Sequence, residues 1–275
     1  MEQQLSLREN QIEQLKILKK ISEICKELGL KYFLTYGTLL GAIRHKGFIP
    51  WDDDIDIMMP RNDYEKLIEY FIKNKEKMSP FEVFYPKNCE NYPYYIARIS
   101  NSNFRIEVEN EKDYGIGTFI DVYPLDGMGS DLKNAVKLRR KGKVLSSCCF
   151  LATREHFSKG TTSSKLRMIL KLPTFIYSKI RGKNYFIDRL DDLSKSFTYE
   201  ESDLVGCLTW GGHGNERDIM PKEWFGEGKI IPFEEDEFCV PEMYDNILKF
   251  FYGDYMQLPP EKDRIPHHLY NVYKK

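Results

Sequence analysis

Apolar positions first recur at helical spacing. Ile12, Leu15, Leu18, Ile21, Cys25 and Leu28 form one stripe, preceded by the capping-box sequence Ser6-Leu7-Arg8-Glu9 and followed by Gly29. This spacing predicts an amphipathic helix stopped by glycine. The pattern then shortens. Residues 31–36 are aromatic and β-rich and read as a strand, GTLLGAIR turns from it into a short helix, and DIDIMMP is the next strand. Asn62 or Asp63 is expected to cap a helix over DYEKLIEYFIKNKEK. FEVFYP, YYIARIS, FRIEVEN and GIGTFIDVYP read as further strands separated by Asn, Ser and Gly punctuation. Beyond Gly129 the pattern turns helical and basic over residues 131–197. The C-terminal part mixes short strands, Pro-rich turns and a helix from Pro241 to Phe251. The fold class is α/β: a mixed sheet flanked by helices. A core over 1–130 carries a basic helical insertion over 131–200, and a mixed segment over 201–275 completes the core.

Composition narrows this picture little. A chain of 275 residues is long enough for one sizeable core with an appended subdomain. The N-terminus, MEQQLSLREN, lacks the basic-then-apolar layout of a signal peptide, and no apolar run reaches the ~20 residues of a membrane span. Six cysteines show no C-x-x-C spacing. Cys148 and Cys149 sit together in an apolar stretch, which suits buried free thiols and a reduced, cytoplasmic setting. Charge is more informative. Leu132 to Lys183 holds fourteen Lys or Arg and one acid, a balance of +13, so the whole-chain value of −1 leaves −14 elsewhere. Such segregation points to a partner met with one face.

The densest chemistry lies at residues 49–61, IPWDDDIDIMMPR. Asp52, Asp53, Asp54 and Asp56 crowd beside an apolar run. Carboxylates this close repel and raise one another's pKa, and a bound cation is the obvious answer. On an extended strand Asp54 and Asp56 would share a face about 6.5 Å apart, with Ile55 and Ile57 docking the other face. Carboxylate oxygens at that spacing suit Mg²⁺ or Mn²⁺. Asp121 repeats the apolar-Asp-apolar pattern in FIDVYP. Gly37-Thr38 ends the earlier strand, where glycine permits close approach and the following helix offers free N–H groups to phosphate. Together these are the parts of a two-metal phosphoryl or nucleotidyl transfer site. Asp52 and Asp53 fit direct ligation and turn capping equally.

Three blocks, YGTLLGAIRHKGFIPWDDDIDIMMPRNDYEKL, GTFIDVYPLDG and YDNILKFFYGDYMQLPPE, resemble the signature blocks of the LicD family, relatives of fukutin and fukutin-related protein with a nucleotidyltransferase-like fold. The resemblance runs from near the N-terminus to Asp126 and returns from Pro221 to Glu261; the basic middle matches poorly. It implies that Gly37 and Thr38 fill the glycine-small motif, Asp54 and Asp56 the paired metal ligands, and Asp121 the third carboxylate. It also implies transfer of phosphocholine from CDP-choline, or of another polyol phosphate from a related CDP-alcohol, to a sugar on a cell-surface glycan. The cysteine cluster of fukutin-related protein has no counterpart, so no zinc site is carried over.

Other residues keep two readings each. Arg44 is a phosphate clamp or a partner for the aspartates. Trp51 stacks on a base or quaternary ammonium, or plugs the acidic turn against the core; the plug is favoured. Arg98 meets a donor phosphate or forms an edge ion pair. Tyr36, Tyr94, Tyr95 and Tyr123 form a choline cage or belong to the core. His267 and His268 read as exposed tail residues. The basic segment is a solvated face, a funnel for an anionic donor or, as favoured here, a surface resting on an anionic membrane. In that case the protein is peripheral at the inner face, with Phe and Tyr of LPTFIY at the interface and a lipid-linked glycan as acceptor. No nucleic-acid partner is expected. A D-x-D glycosyltransferase and a non-catalytic cation-binding module are the rivals; neither needs Gly37-Thr38 together with Asp121.

Overall fold

A computed structural model describes residues 3–90, 92–108, 115–154, 156, 165–209, 218–266 and 270–275, except the side chains of residues 108 and 165–168. Helix α1 (Leu7–Leu28) begins as expected. The Ser6 hydroxyl accepts the Glu9 N–H while Glu9 accepts the Ser6 N–H, and Gly29 ends the helix at φ 66°. Its buried face differs from the apolar stripe at the front. Ile17, Leu18, Ile21, Ile24 and Cys25 enter the core, but Ile12 and Leu28 are exposed, and Asn10, Gln11 and Gln14 are buried in the first turns.

Strand β1 is only Phe33–Leu34, and helix α2 (Tyr36–His45) starts directly after it. The expected strand ends early because the chain reverses sharply at Tyr36, a non-glycine residue at φ 46°. Strand β2 (Asp56–Pro60) leads into α3 (Arg61–Lys73), followed by the short α4 (Lys75–Met78), β3 (Phe81–Phe84), β4 (Ala97–Asn101), β5 (Phe104–Val108) and β6 (Thr118–Gly127). The N-cap of α3 is Pro60, not Asn62 or Asp63. The Asp63 carboxylate instead accepts the Lys31 N–H at 3.0 Å. The last two residues of FRIEVEN lie outside the described residues.

The main sheet has the order β1-β2-β6-β4-β3. Only β2 and β6 pair in parallel; β1 on β2, β4 on β6 and β3 on β4 are antiparallel. The far end of β6 is extended by β7 (Leu204–Gly206), which pairs with β8 (Met220–Pro221). Every residue of β2 and β6 is buried, as near-continuous apolar runs require of strands covered on both faces. An ion pair at 2.6 Å between Arg61 and the fully buried Asp126 ties the start of α3 to β6. Burial pushes the Asp126 carboxyl up, and Arg61 opposes that shift.

Between β6 and β7 run two basic helices, α5 (Leu132–Thr153), capped by Asp131, and α6 (Lys165–Ser194), kinked at Gly182 (φ 73°). They pack on each other, with Cys148, Cys149, Phe186, Ile187 and Leu190 in a small cluster of their own with Tyr95. Strands β9 (Lys229–Phe233) and β10 (Asp236–Val240) form a hairpin, α7 (Tyr244–Tyr252) follows, and β11 (Tyr270–Lys274) returns to pair with β5. Helix α7 starts three residues later than the pattern suggests. All six cysteines are free thiols, with Cys148 and Cys149 buried as expected. Among the described residues no helix is long and apolar enough to cross a membrane.

Candidate functional site

The parallel pairing of β2 with β6 places Asp56 opposite Asp121, and the antiparallel pairing of β4 with β6 places Arg98 opposite Asp121. The three residues therefore form one row across three adjacent strands, which lie about 4.8 Å apart. Arg98 Nε donates to Asp121 Oδ1 at 2.7 Å, and its guanidinium is held between the rings of Tyr94 and Phe119. The ion-pair reading of Arg98 thus describes its geometry.

The strand begins at Asp56, so Asp54 stands in the turn before it and not on a shared strand face. The backbone on either side explains this boundary. The Asp56 N–H donates to Thr38 Oγ1 at 2.8 Å, and the Asp121 N–H donates to the Ile55 carbonyl at 3.0 Å. One step earlier, side chains replace the ladder. Gln11 Nε2 donates to the Asp52 carbonyl at 2.8 Å; Asn10 Nδ2, Gln14 Nε2 and the Tyr270 hydroxyl donate to the Asp53 carbonyl at 3.2, 2.9 and 3.1 Å. Buried carbonyls need donors, and here buried amides of α1 supply them. That requirement is why α1 is polar where it covers the acidic turn.

Within the turn, oxygens of Asp52, Asp53 and Asp54 lie within 4.8 Å of one another, close enough to hold one metal ion. Asp52 and Asp53 thus stand beside Asp54 in the candidate site. Gly37 makes room for them: a Cβ at that position would stand 2.6 Å from Asp52 Oδ2. Gly37 and Thr38 lie in the first turn of α2, and their observed roles are to admit the Asp52 carboxylate and to hold the Asp56 backbone.

Asp56 is crowded by the other carboxyls that shift it. Its Oδ1 is buried without a hydrogen-bond partner. Burial first, then the charges of Asp54, Asp121 and Asp52, push its carboxyl well above the usual range, with Arg98 opposing. An orphaned buried oxygen among four further carboxylates fits a hard divalent cation, and the donor set is entirely oxygen.

The remaining candidates divide. Arg44 donates to the Tyr255 carbonyl at 2.8 Å and to His45 Nε2 at 3.0 Å, so its hydrogen bonds join α2 to the C-terminal segment and not to the aspartates. Burial lowers its pKa. Trp51 is half-buried on the core, edge-on to His45, with the Arg264 guanidinium 5.6 Å from its ring. Tyr36 stacks against Tyr123 and Phe251 at 5.3 and 5.4 Å. Burial and then Asp56, Asp52 and Asp54 push the Tyr252 phenol up, so this aromatic group adjoins the acidic turn. Tyr94 packs on Arg98, beside Asp121, while Tyr95 hydrogen-bonds to Asp191. His267 and His268 are outside the described residues.

The family model described as LicD/FKTN/FKRP, nucleotidyltransferase domain, matches residues 29–144, which include Asp52, Asp53, Asp54, Asp56 and Asp121. The lipopolysaccharide cholinephosphotransferase LicD of Haemophilus influenzae is 32% identical over 270 residues, 98% of each chain. The chain belongs to the LicD family. Two uncharacterized proteins, of Rickettsia prowazekii and Rickettsia typhi, are each 45% identical to this LicD-family chain over 47 residues, 17% of its length and 18% and 15% of theirs.

Proposed function

We propose that this protein transfers phosphocholine from a CDP-linked donor to a sugar hydroxyl of a cell-surface glycan precursor, with Mg²⁺ or Mn²⁺ bound at the aspartates. The observation that carries this reading is the in-register pair Asp56 and Asp121 beside the Asp52–Asp54 turn, in a chain aligned end to end with a lipopolysaccharide cholinephosphotransferase.

Asp54, Asp56 and Asp121, with Asp52 and Asp53, would hold the cation. When bound, it neutralises the diphosphate and so favours in-line displacement of CMP. The protein's part is position and charge. The α1 amides and Thr38 fix the backbone of the turn, so its carboxylates are held in place before substrate arrives. Arg98 pairs with Asp121 at 2.7 Å and fixes its position, and Asp121 is the proposed acceptor of the sugar hydroxyl proton. Tyr252, with the half-buried Tyr36 and Phe251 beside it, offers aromatic faces next to the acidic turn to the quaternary ammonium.

The test is incubation with CDP-choline, Mg²⁺ and candidate sugar acceptors, read by CMP release and by a phosphodiester phosphorus resonance on the sugar. CMP release matched by that resonance supports the reading. A glycosidic product from a nucleotide sugar would shift it to the D-x-D glycosyltransferase. No turnover of either kind, with the cation bound, would leave a cation-binding module.

A further inference from the structure

We infer that the first half of α6 is a docking surface for an anionic lipid bilayer. Before the kink at Gly182, Ile169, Leu172, Ile176 and Ile180 recur at i, i+3, i+7 and i+11, which places them on one face. That face points outward. Ile169 is 66% exposed and Ile180 78%, with Leu172 and Ile176 also exposed, and Leu170 (71%) and Tyr177 border them. The inward side carries Ser178, fully buried, whose hydroxyl donates to the Thr174 carbonyl, and the half-buried Phe175. Among its described residues, this half of the helix therefore buries only Ser178 and part of Phe175 and presents its aliphatic stripe to solvent, the reverse of a helix built for a soluble core. After the kink the order returns to normal, with Phe186, Ile187 and Leu190 buried. A contiguous exposed apolar stripe marks an interaction surface.

Charge selects the occupant. The stripe lies within the +13 segment, and Lys171, Lys179 and Arg181 are exposed on the same half of the helix. A second copy seated here would set two strongly cationic surfaces against each other. An anionic headgroup layer neutralises the cations while the aliphatic side chains enter the acyl boundary, and the −14 remainder of the chain is repelled and so oriented away. This surface is independent of the transfer chemistry proposed above.

Co-sedimentation of the full chain with phosphatidylglycerol–phosphatidylcholine vesicles and with pure phosphatidylcholine vesicles, at low and high salt, tests the inference. Preferential binding to the anionic vesicles, released by salt and weakened at least about tenfold by Ile176→Glu with Ile180→Glu, is expected. Both side chains are exposed, and an unchanged melting curve of the variant confirms that its fold is intact. Equal sedimentation with both vesicle types, or anionic binding that the variant retains, would overturn the inference. So would a concentration-dependent dimer that the variant abolishes in the absence of vesicle binding, since it would assign the stripe to a second copy of the chain.

Discussion

Asp56 on β2 and Asp121 on β6 are direct cross-strand partners in a parallel pair, so two carboxylates distant in sequence are held side by side by backbone register alone. Neither position is free to drift: each N–H is committed, one to Thr38 and the other to the Ile55 carbonyl. The arrangement is costly without a cation. Asp56→Asn keeps the shape and removes one of the like charges, so the metal-free variant should gain roughly 1 kcal/mol or more of stability, or about 2–4 °C in Tm. Its Tm should no longer respond to Mg²⁺, and turnover should be lost. Differential scanning calorimetry with and without Mg²⁺ checks this, and a destabilised metal-free Asp56→Asn protein would refute the electrostatic account.

Arg98 gives the opposite expectation. Its guanidinium is buried with Asp121 and two aromatic rings, so Arg98→Ala leaves a buried carboxylate unpaired and should cost about 3–5 kcal/mol. Arg98→Lys restores the charge but not the planar stack, and should recover only part of that loss in urea denaturation.

Gly37 is a test of space. Alanine there puts a methyl group against the Asp52 carboxylate while leaving the core untouched, so Gly37→Ala should fold with near-normal stability and bind Mg²⁺ and turn over more weakly. Comparing its melting curve with its Mg²⁺ titration separates the two effects. A variant that melts early and binds Mg²⁺ normally would contradict the assignment.

Glu234 links pH to the same region. From the β9–β10 hairpin it accepts the Phe48 N–H at 3.0 Å and pairs with Arg8, and the Arg8 hydrogen bond first holds its pKa below the ordinary value of 4.5. A depressed folded pKa means the stabilisation is fully present above that ordinary value and is lost as pH falls through the folded value. Because the pair faces solvent, Glu234→Gln should cost only about 0.2–1 kcal/mol at neutral pH, with the gap to the unmodified protein closing on acidification. Denaturation midpoints followed from pH 7 downward check the sign.

The sequence carried the local elements well where one signal dominated. The Ser6–Glu9 box and Gly29 bounded α1, and the alternation around Ile55, Ile57, Ile120 and Val122 marked the two strands that became partners. What it did not reveal is long-range. Asn10, Gln11 and Gln14 look like an ordinary solvated face until the acidic turn beneath them is known, yet three uncharged amides spaced i, i+1 and i+4 at the front of a helix whose other polar positions are almost all charged are the available hint. D-I-D alternation predicts a strand through Asp54, but the carbonyls just before it, of Asp52 and Asp53, are held by side chains, which periodicity does not register. Arg98 and Arg44 were legible as cations, but their partners, Asp121 and the Tyr255 carbonyl, depend on topology. Phe251 and Tyr252 reach the site only because α7 packs on α2.

The central claim is that aspartates from the turn and from both strands bind one cation site together with the nucleotide donor. Calorimetric titration of Mn²⁺ into the protein in the presence of CDP-choline addresses it most directly. The account predicts saturable binding that is lost, or weakened at least about tenfold, in each of Asp54→Ala, Asp56→Ala and Asp121→Ala. Unchanged Mn²⁺ binding in the folded Asp56→Ala and Asp121→Ala proteins would contradict it.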